Sequence, residues 1–288
     1  MPRPSRGALR ALFLGVVVVA VPACSTRKLV YQYGETLLVR EIDRSLDLRD
    51  SQRDWVRQRL RGHFAWHRKA ELPYYAERIE QLRGLVADGI SPQDLKWTRQ
   101  AMEELWRRLA SRLAPDAGAL LAGLSPAQID HLEESMGERR KGRRELLDLP
   151  VEQYVAKRSA EVKKSLRRWV GPLEPAQESL IESYVRKNRD DVLVRRQSDR
   201  AGGKDLLALL RRRPGAQEIV DQLLARLTTN AVGEPPEIQA AGARLEAALV
   251  ELALALDRSA TTAQRRHLDT ELVAWRDDFL SLAKDQKD

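Results

Sequence analysis

Apolar residues recur along this chain at steps of three and four, and this spacing limits what the chain can fold into. Near the carboxyl end the pattern runs through Leu268, Leu272, Trp275, Phe279 and Leu282. Such spacing places the side chains on one face of an α-helix, and that face must be buried against a partner. No run of alternating apolar and polar residues bounded by turn signals is found, so we predict no sheet.

The composition and the positions of proline and glycine extend the helix prediction to the whole chain. Charged residues make up 32% of the sequence and aromatic residues 5%, a balance typical of long solvated helices. Proline and glycine divide the chain into roughly nine or ten helices with short connections. We therefore predict an all-α, multi-helix antiparallel bundle over residues 29–285, with a subdomain hinge near 201–203 at Gly202-Gly203. The predicted breaks lie at 89–92, 113–115, 149–150, 171–172, 202–203, 214–215 and 233–236.

The first 23 residues have the pattern of a secretory signal. Arg3, Arg6 and Arg10 precede an uncharged apolar run, and this segment contains no acidic residue. A membrane-spanning helix needs about 20 apolar residues, more than this run supplies. We therefore predict that residues 1–23 are cleaved from the chain.

Val21-Pro22-Ala23, directly before Cys24, resembles the lipobox of bacterial lipoproteins. The resemblance implies cleavage between Ala23 and Cys24, attachment of diacylglycerol and a further acyl chain such as palmitate at Cys24, and a short tether over 24–28. Ser25 stands where lipoproteins retained in the inner membrane usually carry Asp, which implies an outer-membrane anchor facing the periplasm. A secreted protein with Cys24 just inside the cleavage site, and a short uncleaved anchor, remain alternatives. Cys24 is the chain's one cysteine, so no disulfide is expected.

Cationic residues form several runs, but the compartment restricts their partner. Loss of residues 1–23 removes three arginines and lowers the formal net charge from +8 to +5. A periplasmic address excludes nucleic acid and leaves anionic lipids, anionic envelope polymers or an acidic envelope protein. The alternative is a solvated helix face whose charges are balanced by nearby acids. Our candidate surface consists of Arg139, Arg140, Lys141, Arg143 and Arg144.

A short pattern recurs at four predicted helix starts. In its first copy, "LSPAQ" at 124–128, Ser125 suits the N-cap and Gln128 can reach back to complete a capping box. Leu124 and Ile129 occupy the two positions of a hydrophobic staple. The pattern resembles the LTxxQ repeats of the Spy-type periplasmic chaperones, which hold unfolded clients without ATP; capping alone also explains it. The other copies are "LRDSQ" at 48–52, "LEPAQ" at 173–177 and "ATTAQ" at 260–264.

Longer segments resemble one family of proteobacterial envelope lipoproteins. They are "YQYGETLLVREIDRSLDLRDSQRDWVRQRL" at 31–60, "WHRKAELPYYAERIEQL" at 66–82 and "KRSAEVKKSLRRWVGPLEPAQ" at 157–177. The resemblance implies a lipid-anchored, all-helical domain. The family has no established activity and supplies no catalytic residue to transfer.

One cluster has residue types that can bind a metal. His63, His67 and Glu71 recur every four residues and should share a helix face, where two imidazoles and a carboxylate could hold a divalent cation. A two-histidine helical spacing alone has low specificity. We favour packing, with His67 hydrogen-bonded between helices and Glu71 paired to Arg68 or Arg78, and predict no metal and no cofactor.

Pro73 should kink or restart the helix that follows, because proline lacks a backbone donor. Tyr74 and Tyr75 then lie at a bend, where they form either a ligand groove or, as we prefer, aromatic packing. The chain has no nucleophile elbow, phosphate-binding glycine loop or zincin motif. We expect no enzymatic activity. The predicted function is a lipid-anchored, non-enzymatic binding or structural module of the envelope, and the alternative is a membrane-tethered chaperone.

Overall fold

The computed structural model describes residues 24–228 and 235–284, which fold into α-helices and contain no strand. This confirms the all-α prediction, with eleven helices in the described residues against the roughly nine or ten expected. A single π-helical turn, His67–Glu71, follows α2. The helices are α1 Cys24–Leu46, α2 Asp50–Trp66, α3 Leu72–Val86, α4 Pro92–Ala122, α5 Pro126–Leu147, α6 Val151–Val170, α7 Pro175–Lys187, α8 Arg189–Arg211, α9 Ala216–Thr228, α10 Pro236–Arg258 and α11 Thr262–Lys284.

The chain divides into two compact units. Among the described residues, the first unit comprises 24–71, 103–142, 196–228 and 235, and the second comprises 72–102, 143–195 and 236–284. The boundaries fall within helices α4, α5 and α8 and at the starts of α3 and α10. Each unit has its own apolar core, which is the usual property of a separately packed unit.

The first unit is centred on leucine-rich helices α8 and α9. Ile219 is fully buried, and Leu223 of the same helix is nearly so. Leu124 and Ile129, which occupy the two predicted staple positions, are both buried in this cluster. The other buried members are Val39, Leu46, Leu48, Val56, Ala110, Leu132, Met136, Leu206, Leu207, Leu209, Leu210 and Leu227.

The second unit buries aromatic and branched side chains of α6, α7, α10 and α11. Its fully buried centre is Ile181 of α7, packed with Tyr154, Val155, Val185 and Leu252. The carboxyl-terminal stripe packs as predicted, with Leu272 and Leu282 buried. Trp275 of the same stripe stacks on Trp169, with ring centroids 5.6 Å apart.

The break predicted at 113–115 is wrong, because α4 continues through Pro115. Proline inside a helix costs about 3 kcal/mol through a lost hydrogen bond and a steric clash. The helix is held by burial on one face, where Ala110, Ala114 and Gly118 recur every four residues. A Cβ on Gly118 would collide with the Val220 side chain, so the small residues permit close approach of α9.

The break predicted at Gly202-Gly203 is also absent, since α8 is continuous there. A Cβ on Gly203 would lie 2.8 Å from Met136 Cε, and the Gly202 carbonyl accepts a hydrogen bond from the buried Arg226 at 2.9 Å. The two glycines therefore serve close helix packing. The chain passes from one unit to the other within this helix, between 195 and 196.

The restart predicted at Pro73 is not seen as a break, because α2, the π-helical turn and α3 follow one another with no non-helical residue between them. The π-helical turn ends at Glu71 and α3 begins at Leu72, which places Pro73 just after the π-helical turn. The π-helical turn changes the hydrogen-bond pattern just before Pro73, and a residue without a backbone N–H is accommodated there.

Candidate functional site

The predicted anchor lies at the amino-terminal end of the described chain. Helix α1 begins at Cys24, so the backbone of the predicted tether, 24–28, is helical. Ala23, the rest of the predicted signal and the Cys24 side chain lie outside what the structure describes. None of the described helices has the length and apolar composition needed to cross a bilayer.

His63 is held by a carboxylate of another helix. Its Nε2 lies 2.8 Å from Asp116 Oδ2, and Arg59 approaches the other oxygen of the same carboxylate at 3.4 Å. Burial lowers the pKa of His63, while the Asp116 charge acts in the opposite direction. The imidazole is therefore used in packing α2 against α4.

His67 is hydrogen-bonded to α1, as the packing hypothesis predicts. Its Nδ1 lies 3.0 Å from the Tyr31 hydroxyl. Burial lowers the pKa of His67 to about 4, with Glu71 opposing the shift, and burial raises the pKa of Tyr31 to about 12, with Arg68 opposing it. Both partners are neutral near pH 7, so the bond joins two uncharged groups.

Glu71 has a different partner from the ones predicted. Its carboxylate is fully buried and receives both Nε and Nη2 of Arg108, the latter at 2.6 Å. Arg68 instead lies over the Tyr31 ring, and Arg78 contacts Tyr74. Since Arg108 lies on α4, the ion pair joins helices distant in sequence, which a reading of neighbouring residues cannot reveal.

The three candidate ligands thus point to three separate partners. Among residues 24–228 and 235–284, no group of three His, Cys, Asp or Glu side chains is arranged to hold a metal ion. Tyr75, from the predicted bend, packs edge-on against Phe279 with centroids 6.0 Å apart. Tyr74 lies beneath the Arg78 guanidinium. The Tyr75 contact is aromatic packing, and the Tyr74 contact is a cation–π interaction with Arg78.

The predicted cationic surface is only partly available. Arg139 is bound to Glu41 at 2.9 Å and to two serine hydroxyls, Ser45 and Ser135. Arg140 is half-buried and Lys141 is exposed. The side chains of Arg143 and Arg144 lie outside the described residues. Arg139 also lines a shallow recess of mixed charge, together with Glu41, Arg44, Ser135 and Glu138.

The four recurring glutamines all cap their own helices. In every copy the side-chain Oε1 accepts the backbone N–H three residues earlier, at 3.0 Å, which is half of a capping box. The side-chain hydroxyls of Ser125 and Thr261 complete the box in two copies by accepting the glutamine N–H at 3.2 Å. The capping bonds join Gln52 to Arg49, Gln128 to Ser125, Gln177 to Glu174 and Gln264 to Thr261.

The same glutamines also bind one another in twos, which the sequence did not reveal. In the first unit Gln128 donates to Gln52 at 2.8 Å and accepts a longer return bond at 3.5 Å. In the second unit Gln264 donates to Gln177 at 2.8 Å and accepts at 3.0 Å. We call these contacts the first and second glutamine pairs. Their members are 76 and 87 residues apart in the chain.

Each paired amide also binds the end of the helix that precedes its partner. Gln128 donates to the Asp47 carbonyl after α1 at 2.9 Å, and Gln264 donates to the Pro172 carbonyl after α6 at 2.6 Å. A carbonyl at the end of a helix has no backbone N–H of the next turn to accept from, and the glutamine amide donates the missing hydrogen bond. Gln52 and Gln177 do the same for Gly123 after α4 and Ser259 after α10.

A histidine supports each pair at an equivalent position. His131, three residues after Gln128, places Nε2 2.9 Å from the Arg44 carbonyl near the end of α1. His267, three residues after Gln264, places Nε2 3.2 Å from the Arg168 carbonyl near the end of α6. Both histidines are absent from the predicted site residues, although a His stands three residues after the glutamine in two of the four copies.

The glutamine pairs are structural clamps. An amide does not ionise near neutral pH, so neither pair can move a proton in general acid–base catalysis. Each pair fixes four helix ends within its unit: α1, α2, α4 and α5 in the first, and α6, α7, α10 and α11 in the second. The two units thus share one construction, built from the same motif.

Comparison with known proteins gives one family match. Residues 44–230, more than half of the chain, match DUF6279, which is described as a family of unknown function. The matched range contains Gln52, Gln128 and Gln177 but not Gln264. No curated protein and no solved structure matches the chain.

Proposed function

We propose that this chain, which belongs to the DUF6279 family, is a lipid-anchored envelope protein. Its helical units bind or organise other envelope components and catalyse no reaction. The anchor is lipid on Cys24 in the periplasmic face of the outer membrane. The partner is an envelope protein or an anionic envelope polymer.

One observation carries this proposal. The signal-like segment 1–23 ends directly before Cys24, and α1 begins at that residue, so an acylated Cys24 would attach directly to a helix of the first unit. Several acyl chains give stable anchoring where one gives marginal binding. The non-enzymatic half of the proposal is supported by the engagement of His63, His67 and Glu71 in contacts between helices.

Substitution of Cys24 tests the anchor. Cys24→Ala removes the thiol that lipidation requires, so the precursor should keep its signal segment or the product should leave the membrane fraction. Ser25→Ala is the matched control and should be processed and fractionate like the wild type. A Cys24→Ala protein that is processed normally and stays membrane-bound would refute the lipid anchor.

The outer-membrane address has its own test. Ser25→Asp should shift the protein to the inner-membrane fraction after separation on a density gradient, because Asp at this position resembles the inner-membrane retention signal. An unchanged distribution of the Ser25→Asp protein would contradict outer-membrane sorting while leaving lipidation intact.

A membrane-tethered, ATP-independent chaperone is a second proposal, supported by the four helix-start motifs. All four glutamines have the same capping role, so the four copies of the motif share a local structure as well as letters. The chain from residue 24, carrying Cys24→Ser, should then suppress aggregation of several chemically unfolded clients. No suppression of any client at a several-fold molar excess would reject the chaperone.

A further inference from the structure

Helix α1 has an exposed apolar pair near the proposed anchor. Tyr33 is 56% exposed and Leu37 is 52% exposed, one helical turn further along. Arg40 and Arg44 follow, and both are exposed. At 3.6 residues per turn these four side chains lie within an arc of about 60° on one face of the helix. We call this set the α1 outer face.

The opposite side of α1 packs against the rest of the first unit. Val39 and Leu46 are buried in its core, and Tyr31 is bound to His67. The two glutamates of α1 do not balance the arginines, since Glu35 pairs with Arg61 and Glu41 with Arg139. In the described part of the chain, neither the Arg40 nor the Arg44 guanidinium makes a hydrogen bond or an ion pair.

We propose that the α1 outer face docks on the anionic phospholipid surface of the membrane that holds Cys24. This inference rests on the proposed lipid anchor. Helical rise places Tyr33 about 14 Å and Leu37 about 20 Å along the axis from Cys24, so a helix lying along the bilayer brings both into the headgroup layer. Tyrosine suits that layer because its ring is apolar and its hydroxyl is polar.

Charge and size favour lipid over a protein partner. The arginines complement anionic phosphates, and each basic residue near such a surface strengthens binding about fivefold. The apolar part of the α1 outer face consists of two side chains, whereas a stable protein interface buries about 800 Å² on each partner. A small surface of this kind is sufficient when acyl chains supply most of the affinity and the face supplies a second signal.

Vesicle binding by the unlipidated chain tests the docking face. The protein begins at residue 24 and carries Cys24→Ser, so no acyl chain contributes to binding. It should co-sediment with vesicles of phosphatidylglycerol and phosphatidylethanolamine more than with phosphatidylcholine vesicles, and less as salt rises. Arg40→Gln/Arg44→Gln should weaken binding to the anionic vesicles at least tenfold. Tyr33→Ser/Leu37→Ser should weaken binding to both kinds of vesicle.

Matched control variants remove equal charge or apolar surface elsewhere. Lys157→Gln/Lys164→Gln removes two exposed charges from α6, and Leu249→Ser removes a side chain as exposed as Tyr33 from α10. Both controls should bind like the parent, and all variants should retain its helical circular dichroism. Equal loss in the controls, or unchanged binding after the α1 substitutions, would overturn the proposal.

Two other outcomes distinguish lipid docking from dimerisation through the same face and from the lipid anchor itself. Absence of vesicle binding, together with dimerisation that Tyr33→Ser/Leu37→Ser abolishes, would assign the face to a second copy of the chain and overturn lipid docking. Because the test protein carries no lipid, its failure to bind vesicles leaves the anchor at Cys24 intact. Failure of the anchor is detected separately by the processing of the Cys24→Ala precursor in cells.

Discussion

The second glutamine pair makes a strong prediction about stability. Gln177 and Gln264 are both buried, and each amide makes hydrogen bonds on both its oxygen and its nitrogen. Gln264 accepts from the Thr261 backbone and from Gln177, and it donates to the Pro172 carbonyl and to Gln177. Four bonds at about 1 kcal/mol each give a cost of about 4 kcal/mol for Gln264→Ala.

The double substitution shows whether the two amides act as one unit. Gln177→Ala removes a similar set of bonds, including the two that it shares with Gln264. Because the double variant loses the shared bonds only once, it should cost about 6 kcal/mol instead of the 8 kcal/mol given by the sum. The coupling free energy is therefore about 2 kcal/mol.

Urea unfolding followed by far-ultraviolet circular dichroism measures these free energies. Tryptophan fluorescence gives a second signal, since Trp169 and Trp275 stack within the second unit. Gln153→Ala on α6 is the matched control, because that glutamine is exposed, and it should change stability by less than about 0.5 kcal/mol. Additive single effects, or costs no larger than that of the control, would refute the paired-clamp account.

Three further predictions follow from close packing, a buried charge and a buried imidazole. Gly118→Ala should destabilise the protein by about 1–3 kcal/mol in urea unfolding, because its Cβ would clash with α9. The control Gly62→Ala, at an open helical position, should stabilise the protein by about 0.5–1 kcal/mol. Equal effects of the two substitutions would contradict close packing of α4 on α9 at Gly118. Arg108→Met should cost about 3–5 kcal/mol, because the buried Glu71 carboxylate loses its ion-pair partner. Glu71→Leu/Arg108→Met should recover part of that loss in urea titrations, and no recovery would refute an ion-pair cause. Because His67 has a pKa of about 4 when folded and about 6.5 when unfolded, the unfolded state binds more protons between these values, and stability should fall by at most about 3 kcal/mol as the pH drops from 7 to 4. His67→Gln should lessen that fall, and an unchanged pH dependence would exclude His67 as its source.

Local chemistry was predictable from the sequence. Helical spacing and the burial of Leu124 and Ile129 at a helix start depend on residues a few positions apart, and the structure shows both. The capping boxes belong to the same class. Gln128 binds the backbone of Ser125, as the "LSPAQ" pattern indicates.

Long-range pairing was not predictable in the same way. A capping glutamine uses its oxygen locally, but the partner of its amide nitrogen depends on which helix ends meet in the folded unit. The pairing of Gln52 with Gln128 therefore left no signal in either motif alone. For the same reason the sequence predicts a neighbouring arginine as the partner of Glu71, whereas its partner is Arg108 on α4.

The two misplaced breaks have a common physical origin. Proline and glycine usually mark the ends of helices, and this rule predicts breaks at Pro115 and Gly203. In each case burial against another helix outweighs the intrinsic preference: α4 packs its small residues near Pro115 on α9, and α8 packs Gly203 on Met136.

The mass of the mature amino terminus tests the central claim most directly. The protein is extracted from the membrane fraction of cells that express the full chain, digested, and its amino-terminal peptide is analysed by mass spectrometry. The account predicts a peptide that begins at Cys24 and carries a diacylglycerol thioether and an amide-linked acyl chain. A peptide that begins before Cys24, or one that begins at Cys24 without lipid, would contradict the account.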